Sequence, residues 1–286
     1  MSENKTIINW FPGHMAKALR EIQEKIQLVD LIIELVDARA INSTSNPLLK
    51  DIIKNKMSLK VVSKIDLADE EITLQWQKYF KENQIDAVFV NLNNKKSVNT
   101  INNKIKEYAK KLQEKDVKRG LKPRNLRVMV TGIPNVGKST FINSLAKKRS
   151  AGVGNKPGFT KAQQWIHTKD YDLLDTPGVL WPNLSNNDAG IKLALIGCVK
   201  SEILPNMELA KYAIEFLDAN YPNLLYNKYM LNYEKDFSKF LEKYAIKMGH
   251  LFKKQELDYE RSCNQILNDL KNGLLGKVSW ERVNNG

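Results

Sequence analysis

The stretch that decides the fold is residues 132–139, with the sequence GIPNVGKS, which fits the phosphate-loop pattern GxxxxGK(S/T) in full. An apolar run at 126–130 precedes it and a helical apolar pattern follows it, as the motif requires. The glycines let the backbone curl so that successive N–H groups face phosphate oxygens. Lys138 would neutralise the β- and γ-phosphates, and the Ser139 hydroxyl would hold Mg²⁺. The sequence therefore predicts a nucleotide site at a strand-to-helix turn.

Short apolar runs alternate with helical patterns over the first part of the chain. We predict strands at 31–36, 61–62, 87–90, 126–130 and 171–174, and helices at 15–29 and 98–112. This alternation predicts an α/β fold in which helices cover both faces of a mostly parallel sheet. The charged stretch 113–125, which contains a glycine and a proline, predicts a long connection. After residue 187 only helical patterns remain, so we expect a small all-helical domain at 188–286.

Composition argues against several classes of protein. The two cysteines, Cys198 and Cys263, form no CxxC pair, which argues against a disulfide scaffold and a cysteine zinc site. No apolar run approaches the roughly 20 residues that a membrane helix needs, and the first residues lack the apolar stretch of a signal peptide. We therefore expect a cytoplasmic, monomeric protein that does not enter a membrane.

Basic side chains concentrate in the middle of the chain. Residues 104–169 hold 17 lysines and arginines against 3 acidic residues, a net charge of +14, whereas the whole chain carries +13. A general bias toward lysine would affect the whole chain, so this clustering favours a surface that faces a polyanion. RNA is the favoured polyanion, because the sequence has no helix-turn-helix or zinc-finger pattern of a DNA reader.

Two further motifs complete a guanine-nucleotide site. The sequence DTPG follows an apolar strand; its Asp175 would approach Mg²⁺, and Gly178 would offer its N–H to the γ-phosphate. The sequence SKID at 63–66 follows another strand, and Asp66 would accept hydrogen bonds from N1 and N2 of guanine, a pair of donors that adenine does not present. Thr160 lies between the phosphate loop and DTPG, and we expect it to bring a hydroxyl to the metal.

The order of these motifs is unusual, because the base-reading motif precedes the phosphate loop. In this respect the sequence resembles the circularly permuted, ribosome-associated GTPases, and it is most similar to the ribosome biogenesis GTPase A family. The matching stretches are 10–17 (WFPGHMAK), 36–39 (VDAR), 132–140 (GIPNVGKST), 157–160 (PGFT), 163–165 (QQW) and 174–182 (LDTPGVLWP). The resemblance spans most of the chain. It implies a permuted P-loop GTPase domain at 1–187 and an RNA-contacting helical domain at 188–286.

The motifs and the resemblance together imply a set of site residues. The GTP-binding residues are expected to be Ser63, Lys64, Ile65, Asp66, Asn91, Leu92, Asn135, Val136, Gly137, Lys138, Ser139, Thr140 and Gly178. The expected Mg²⁺ ligands are Ser139, Thr160 and Asp175, and the expected catalytic residues are His14, Lys138 and Thr160. Ser63 stands where the family usually has asparagine, and Leu92 stands where a small residue is usual. We therefore expect weaker nucleotide binding, with Asp66 still selecting guanine.

Position 179 holds valine, where many GTPases have the glutamine that orients the attacking water. The resemblance assigns that task to His14, whose neutral imidazole, with an ordinary pKa of about 6.5, suits it. A packed or nucleic-acid-stacking histidine is the alternative, and His167 and His250 are expected to be structural or on the surface. By similarity to potassium-activated GTPases, Asn135 is expected to coordinate K⁺ near the β- and γ-phosphates.

The resemblance implies a factor that binds GTP and GDP, docks on the large ribosomal subunit and its rRNA during late assembly, and hydrolyses GTP when the subunit activates it. Two other functions stay open. One is a P-loop ATPase or small-molecule kinase, in which Asp66 is an accidental match. The other is a nucleotide-gated RNA-binding protein without significant hydrolysis. A tRNA-modifying GTPase is disfavoured because the sequence has no second catalytic constellation.

Overall fold

The structure is a computed structural model that describes residues 13–53, 56–146, 165–180, 188–199, 205–252 and 256–283. The chain divides into two compact units. One, which we call the α/β unit, comprises residues 9–183 together with the last residues, 279–286. The other, the helical unit, includes residues 184–278.

The last residues return to the α/β unit through specific backbone contacts. The N–H of Trp280 donates to the carbonyl of Arg39 at 2.7 Å. The carboxylate of Glu281 accepts from the N–H of Asn42 at 2.7 Å and from the N–H of Ser43 at 3.0 Å. These residues lie inside the helical domain expected from the sequence, and in the structure they group with the α/β unit because of these hydrogen bonds.

Strands and helices alternate along the α/β unit. Its helices are α1 (Gly13–Lys25), α2 (Ile41–Thr44), α3 (Pro47–Ile53), α4 (Glu70–Glu82), α5 (Lys95–Lys118) and α6 (Lys138–Ala146), with a short 3-10 helix at Ile26–Leu28. Its strands are β1 (Leu31–Asp37), β2 (Met57–Ser63), β3 (Ala87–Phe89), β4 (Leu126–Gly132), β5 (Trp165–His167) and β6 (Tyr171–Asp175).

The strands form one sheet in the order β3-β2-β1-β4-β6-β5. Neighbouring strands are parallel except β5 and β6, which are antiparallel. The ends of the parallel strands therefore meet at one edge of the sheet, which we call the carboxyl edge, and their starts meet at the opposite, amino edge. Open α/β sheets bind ligands at the carboxyl edge. The predicted α/β fold with a mostly parallel sheet and a helical C-terminal region is confirmed.

Two apolar clusters hold helices against one face of the sheet. The first contains Ile22, Ile26, Val29, Ile32, Leu49, Met129, Leu174 and Val179. The second contains Val36, Ala38, Ile41, Val62, Ala68, Ile72, Trp76 and Phe80. Ile32 and Val36 are an even number of residues apart on β1, so both clusters lie on the same face. α1 and α4 therefore cover that face, beneath the loops at the carboxyl edge.

Helix α5 is longer than the sequence pattern predicts. It runs from Lys95 to Lys118, so most of the stretch expected to be a long connection is helical, and only 119–125 joins α5 to β4. The expectation was wrong because lysine and glutamate are good helix formers, and because the apolar side chains of the first turns, including Ile101 and Ile105, are already fixed in the core. The connection therefore places a long row of basic side chains on a rigid element.

The helical unit contains α7 (Asp188–Leu195), α8 (Asn206–Asn220), α9 (Leu224–Tyr229), α10 (Phe237–Met248) and α11 (Tyr259–Lys271). Aromatic side chains form much of its core: the Tyr229 and Tyr244 rings meet edge to face with centroids 4.9 Å apart, and Tyr244 and Phe240 are fully or nearly fully buried. These tyrosines therefore serve packing. Within the described part of the chain, no helix has the length and apolar character that crossing a bilayer requires.

Candidate nucleotide site

The phosphate loop joins β4, which ends at Gly132, to α6, which begins at Lys138. Asn135 and Gly137 have positive φ angles of 57° and 104°, so the backbone turns sharply between strand and helix. At Gly132 an added Cβ would lie 2.7 Å from the carbonyl oxygen of Leu35, which is too close for any residue but glycine. The loop is thereby shaped to present N–H groups at the start of α6, where the helix dipole favours an anion.

The polar residues Lys138, Ser139 and Thr140 form the start of α6. The ammonium of Lys138 donates to the carbonyls of Gly132 at 3.1 Å and Ile133 at 2.8 Å. Ser139 and Thr140 are exposed in the first turn of α6. Neutral carbonyls therefore hold Lys138 over the loop, and a phosphate, which bonds an ammonium more strongly, can replace them.

The DTPG segment lies beside the phosphate loop because β6 pairs with β4, with Asp175 opposite Val130. An added Cβ at Gly178 would lie 2.8 Å from the Lys138 Nζ atom and 2.8 Å from the backbone nitrogen of Pro134. The backbone at Gly178 is therefore in close contact with the phosphate loop, so only a residue without a side chain fits between the two segments.

Val179, the residue after DTPG, is buried in the core. It is 1% exposed and belongs to the apolar cluster that contains Ile22 and Ile26. Its carbonyl accepts from the side-chain amide of Asn46 at 2.8 Å. The side chain at this position therefore cannot orient water, and it fastens the DTPG segment to α1. His14 falls in the first turn of α1, and its side chain lies outside the described part of the structure.

Ser63 is fully buried at the end of β2. Its hydroxyl oxygen lies 3.0 Å from the carbonyl oxygen of Val36 and 3.1 Å from that of Val136 in the phosphate loop. A hydroxyl has one proton, so it serves one of these carbonyls at a time. Serine therefore joins the base-reading loop to the phosphate loop through a single shared hydrogen bond, whereas an asparagine amide has two N–H donors.

The rest of the SKID motif continues along the carboxyl edge. Lys64 has a positive φ of 59°, and its ammonium contacts Asp37 at 2.9 Å and the carbonyl of Asn135 at 3.3 Å. Ile65 is partly buried against the second apolar cluster. Asp66 is exposed, and its carboxylate has no donor among the described residues. Asp66 is therefore available to accept hydrogen bonds from a ligand, while Lys64 holds the motif against the phosphate loop.

Asn91 and Leu92 follow β3 at the same edge. The side-chain oxygen of Asn91 accepts from the N–H of Asn93 at 2.9 Å, and its carbonyl accepts from the N–H of Asn94 at 3.0 Å. The Leu92 Cδ1 atom lies 3.6 Å from the position that a Cβ on Gly137 would occupy. Leucine is therefore accommodated at this position beside the phosphate loop, where the family usually has a smaller residue.

Asp37 and Arg39 are residues of this edge to which the motifs gave no role. Asp37 is fully buried at the end of β1 and pairs with the guanidinium of Arg39 at 2.8 Å and the ammonium of Lys64 at 2.9 Å. Burial alone would raise the pKa of Asp37, but the two cations outweigh it and hold the pKa below its usual range. Asp37 therefore orients Lys64. The signal in the sequence is a carboxylate at the end of a mostly apolar strand.

Ser139 and Asp175 are the expected Mg²⁺ ligands that the structure describes. Ser139 lies in the first turn of α6, after β4, and Asp175 ends the adjacent strand β6. They supply hydroxyl and carboxylate oxygens, the hard donors that Mg²⁺ prefers. Nucleotide phosphates and water normally complete such a site, so these residues fit the ion. Among the described residues no group of three or more histidine, cysteine or acidic side chains is placed to hold a metal. Thr160 lies outside the described residues.

The other two histidines have structural surroundings. His167 is exposed on β5, with its Nδ1 atom 3.0 Å from a carboxylate oxygen of Asp172. His250 is buried in the helical unit, with its Nδ1 atom 2.9 Å from the hydroxyl of Ser262. Burial, and then the charge of Arg261, lower the pKa of His250, so its neutral form is favoured.

Comparison with known proteins gives the same picture over nearly the whole chain. A family model described as "50S ribosome-binding GTPase" matches residues 127–242. Ribosome biogenesis GTPase A of Bacillus cereus is 42% identical over 277 residues, which cover 96% of this chain and 94% of that protein. Probable ribosome biogenesis GTPase A of Mycoplasma pneumoniae is 34% identical over 278 residues, which cover 96% of each chain.

Solved structures extend the similarity to the fold. GNP-bound YlqF from T. maritima has a TM-score of 0.66 and 28% sequence identity, over 93% of this chain and 98% of that chain. A GDP-bound structure of TM YlqF has the same TM-score and sequence identity, over 93% of this chain and 100% of that chain. The phosphate loop, the DTPG segment and the preceding base-reading loop meet at one edge of the sheet, in the motif order of the permuted GTPases. With relatives of this identity and coverage, the chain belongs to the ribosome biogenesis GTPase A family.

Proposed function

We propose that this chain is a cytoplasmic, monomeric factor that binds and hydrolyses GTP during late assembly of the large ribosomal subunit. One observation supports the nucleotide chemistry above all others. Two separate loops contact the same phosphate loop: Ser63 and Lys64 on one side, and Gly178 on the other. Family membership supports the reaction and the ribosomal partner.

Guanine recognition is assigned to Asp66. Its free carboxylate would accept from N1 and N2 of the base, and the stem of Lys64 would cover the ring. The structure supports this role because Lys64 is anchored at both Asp37 and Asn135. Asn91 and Leu92 would complete the base pocket from β3.

Phosphate binding is assigned to the N–H groups at 135–140 and to Lys138. Ser139 and Asp175 would hold Mg²⁺, with Thr160 as a third oxygen, and the ion when bound supplies positive charge beside the β- and γ-phosphates. Gly178 would offer its N–H to the γ-phosphate, which fits its close approach to the phosphate loop.

Water activation is assigned to His14. Val179 is buried and has no group that bonds water, so the nucleophile needs a donor or acceptor from another segment. His14 belongs to α1, and Ile22 of this helix lies in the same apolar cluster as Val179, so movement of the DTPG segment would act on α1 through that cluster. Intrinsic turnover is expected to be slow, because docking on the ribosomal particle has to order these segments.

A monovalent cation is proposed at Asn135. This residue is exposed on the phosphate loop with a positive φ, and its carbonyl is already oriented by Lys64. K⁺ there would add positive charge in the transition state, where no arginine finger is evident. Equal GTP turnover in Na⁺ and K⁺ buffers would dismiss this part of the proposal.

The test of the proposed function is GTP turnover with and without purified large ribosomal subunits, for wild type and His14→Ala, in K⁺ buffer. Strong stimulation of the wild type that is lost in the variant supports both the ribosomal partner and the histidine. Equal, slow turnover with and without subunits contradicts activation and favours a nucleotide-gated binding protein.

A second test separates a GTPase from an ATPase. Asp66→Asn is expected to lower affinity for GDP and raise affinity for xanthosine diphosphate, because the amide can donate to the base oxygen that replaces the guanine amino group. Fluorescence titration with both nucleotides measures this. Unchanged preference would mean that Asp66 does not contact the base.

A further inference from the structure

A cleft with basic walls lies at the amino edge of the sheet, opposite the nucleotide loops. Its volume is about 340 Å³, and its lining residues are Val29, Asp30, Lys56, Met57, Lys111, Leu112 and Lys115. Asp30 directly precedes β1, Met57 begins β2, and α5 ends shortly before β4 begins. The cleft, which we call the basic cleft, is therefore separated from the phosphate loop by the length of the strands.

None of the three lysines of the basic cleft forms a salt bridge with a described residue, although the charge of Lys56 acts on Asp30. Lys111 and Lys115 are exposed and have no ion pair among the described residues, in contrast to Lys110, which faces Glu114 at 4.0 Å. The Lys56 ammonium donates to the carbonyl of Val29 at 2.9 Å, which keeps it in the wall of the cleft without cancelling its charge.

The single carboxylate in the lining is already occupied. Asp30 accepts two hydrogen bonds of 2.7 Å from the guanidinium of Arg124 and one of 2.9 Å from the N–H of Arg127. Partial burial works to raise the pKa of Asp30, but the bonds from Arg124 and Arg127 outweigh it and hold the pKa below its usual range. With Asp30 paired to Arg124, the three lysines remain as net positive charge.

A helix-dipole role accounts for only part of this arrangement. The helix dipole stabilises a lysine in the last turn of a helix, and this is sufficient to explain Lys115. Lys111 lies farther from the helix end, and Lys56 is on a different element. Three lysines without a salt bridge among the described residues line this cleft, an arrangement suited to phosphate oxygens. The excess positive charge of residues 104–169 continues along the same helix and connection.

We propose that the basic cleft binds the phosphate backbone of large-subunit rRNA. This rests on the proposed ribosomal function and specifies which surface of the α/β unit faces the particle. RNA bound there would approach the sheet from the side away from the nucleotide, so it would not compete with GTP.

The test compares two double variants that each remove two exposed lysines from a helix. Lys111→Gln with Lys115→Gln removes charge from the basic cleft. Lys78→Gln with Lys81→Gln is the matched control on α4, where both lysines are exposed and Lys81 also lies in the last helical turn. The probes are purified large ribosomal subunits and protein-free large-subunit rRNA, each titrated between 50 and 200 mM salt with a non-hydrolysable GTP analogue present.

The cleft variant is expected to lose about two units of the slope of log affinity against log salt. Wild type should therefore lose roughly tenfold more affinity over that salt range than the cleft variant. GDP affinity should be the same in all proteins, and the control should follow wild type.

Several outcomes overturn the proposal. If both variants bind like wild type, or weaken equally, the basic cleft has no specific role while the ribosomal function stands. If the cleft variant weakens with intact subunits but not with protein-free rRNA, the partner is a ribosomal protein. If wild type binds neither probe, the proposed function itself fails and the cleft inference fails with it.

A second observation, independent of the first, concerns the returning C-terminal residues 279–283, which we call the C-terminal strap. Ser279 is fully buried, and its hydroxyl oxygen accepts from the N–H of Asp69 at 3.1 Å. Glu281 is 8% exposed, and its carboxylate also accepts a short hydrogen bond from the hydroxyl of Ser43. The strap therefore contacts the segments that follow β1 and β2.

These contacts connect to the nucleotide loops through a series of hydrogen bonds and ion pairs. The strap bonds the Arg39 carbonyl, and the Arg39 guanidinium pairs with Asp37. Asp37 pairs with Lys64, whose ammonium also reaches the Asn135 carbonyl of the phosphate loop. Asp69, the strap's other contact, lies three residues after Asp66 and caps α4 by accepting from the N–H of Ile72 at 3.1 Å.

We infer that the C-terminal strap positions the base-reading loop: Glu281 anchors the strap to α2, next to the Trp280–Arg39 hydrogen bond, and Ser279 bonds Asp69 just after the SKID motif. Glu281→Ala removes the hydrogen bonds from Asn42 and Ser43. We expect it to raise the dissociation rate of a fluorescent GDP analogue roughly tenfold, which corresponds to the free energy of about one charge-assisted hydrogen bond acting on the loop. Ser279→Ala, a milder change, should act in the same direction and keeps the test available if the first variant folds poorly.

The control is Cys263→Ala, which removes a buried side chain from α11 and lowers stability without touching the strap. Faster GDP release in the strap variants, but not in this control at a comparable melting temperature, supports positioning. The inference is contradicted if wild type and both strap variants release GDP at the same rate, or if the control releases it as fast as they do. The strap would then have a structural role only.

Discussion

Asp30 directly precedes strand β1 and Asp37 ends it, and the two carboxylates show how the edges of the sheet differ. Asp37, at the carboxyl edge, is fully buried between Arg39 and Lys64. Asp30, at the amino edge, is partly exposed and pairs with Arg124, whose side chain is 46% exposed. Both have a lowered pKa, yet Asp37 is part of a dehydrated network and Asp30 is part of a hydrated surface.

The difference indicates two ways of binding phosphate. At the carboxyl edge, buried bonds fix the loops before any ligand arrives, which is the arrangement that favours a single small anion in a defined pose. At the amino edge, lysines stay in water without ion pairs, which favours a long polyanion held by charge. Substitutions at the carboxyl edge should therefore alter stability and the binding and turnover of nucleotide. Substitutions at the amino edge should alter the salt-dependent binding of RNA.

The largest effect is expected for Asp37→Asn. Removing the carboxylate leaves the cations Arg39 and Lys64 together without their counter-charge, and breaking a buried pair in this way typically costs about 3–5 kcal/mol. The free energy of unfolding from urea titration at pH 7 measures this. A loss below about 1 kcal/mol would mean that Asp37 behaves like a surface carboxylate, and the contrast between the edges would disappear.

The same variant has a characteristic pH dependence. The pKa of Asp37 is lower in the folded chain than its ordinary value of about 3.9. The stabilisation is therefore fully present above about pH 5 and is lost as the pH falls through the folded pKa. The free energies of unfolding of wild type and Asp37→Asn should therefore converge at acid pH. A difference that persists there would show that the variant is destabilised by altered packing and not by the lost charge.

The next effect concerns Gly178→Ala. The new methyl group would lie 2.8 Å from the backbone nitrogen of Pro134, so the DTPG segment and the phosphate loop must move apart. Loss of a donor at the developing charge typically lowers turnover by about 10² to 10³-fold. Gly120→Ala is the control, because it lies between α5 and β4 at the amino edge and a Cβ there meets nothing within 4 Å.

Gly120 has a φ of 72°, so alanine there carries backbone strain and lowers stability slightly. Single-turnover GTP hydrolysis should fall for Gly178→Ala and stay near wild type for Gly120→Ala. Similar rates for all three proteins would show that the close contact at Gly178 has no part in turnover.

The sequence predicts the parts of this site that depend on local pattern. The phosphate loop, DTPG and SKID are short motifs whose glycines and strand contexts are recognisable, and the alternating apolar runs predict the α/β class. Short helices such as α2, with four residues, carry too little periodicity to predict. The length of α5 was missed because charged residues favour both exposed helices and connections.

Contacts between distant segments account for the rest. Glu281 bonds the backbone at Ser43, 238 positions earlier, and nothing in either segment indicates the other. Asp37 ends β1 and Lys64 directly follows the neighbouring strand β2, so their pairing can be predicted only once the strand order is known. The domain expected at 188–286 likewise does not anticipate residues 279–286 joining the α/β unit, because a few long-range hydrogen bonds decide that grouping.

A smaller effect is expected for Ser63→Ala at the carboxyl edge. The change removes the one proton shared between the Val36 and Val136 carbonyls. Net loss of such a bond costs about 1 kcal/mol, so dissociation of a fluorescent GDP analogue should quicken by roughly threefold to tenfold. An unchanged rate would show that Ser63 holds the sheet together without supporting the nucleotide loops.

The smallest effect on stability is expected for Asp30→Asn. The direction in which this variant changes affinity for the ribosomal subunit is the more informative measurement. Pairs in which one partner is well exposed, such as Asp30–Arg124, contribute about 1 kcal/mol, so urea titration should show a far smaller loss than for Asp37→Asn. The variant also removes the one acidic side chain from the lining of the basic cleft. Affinity for large ribosomal subunits at 50 mM salt should therefore rise by about two- to fivefold, opposite to the lysine variants. Weaker binding would show that the Asp30–Arg124 pair itself contacts the particle, and a large stability loss would place Asp30 in the same class as Asp37.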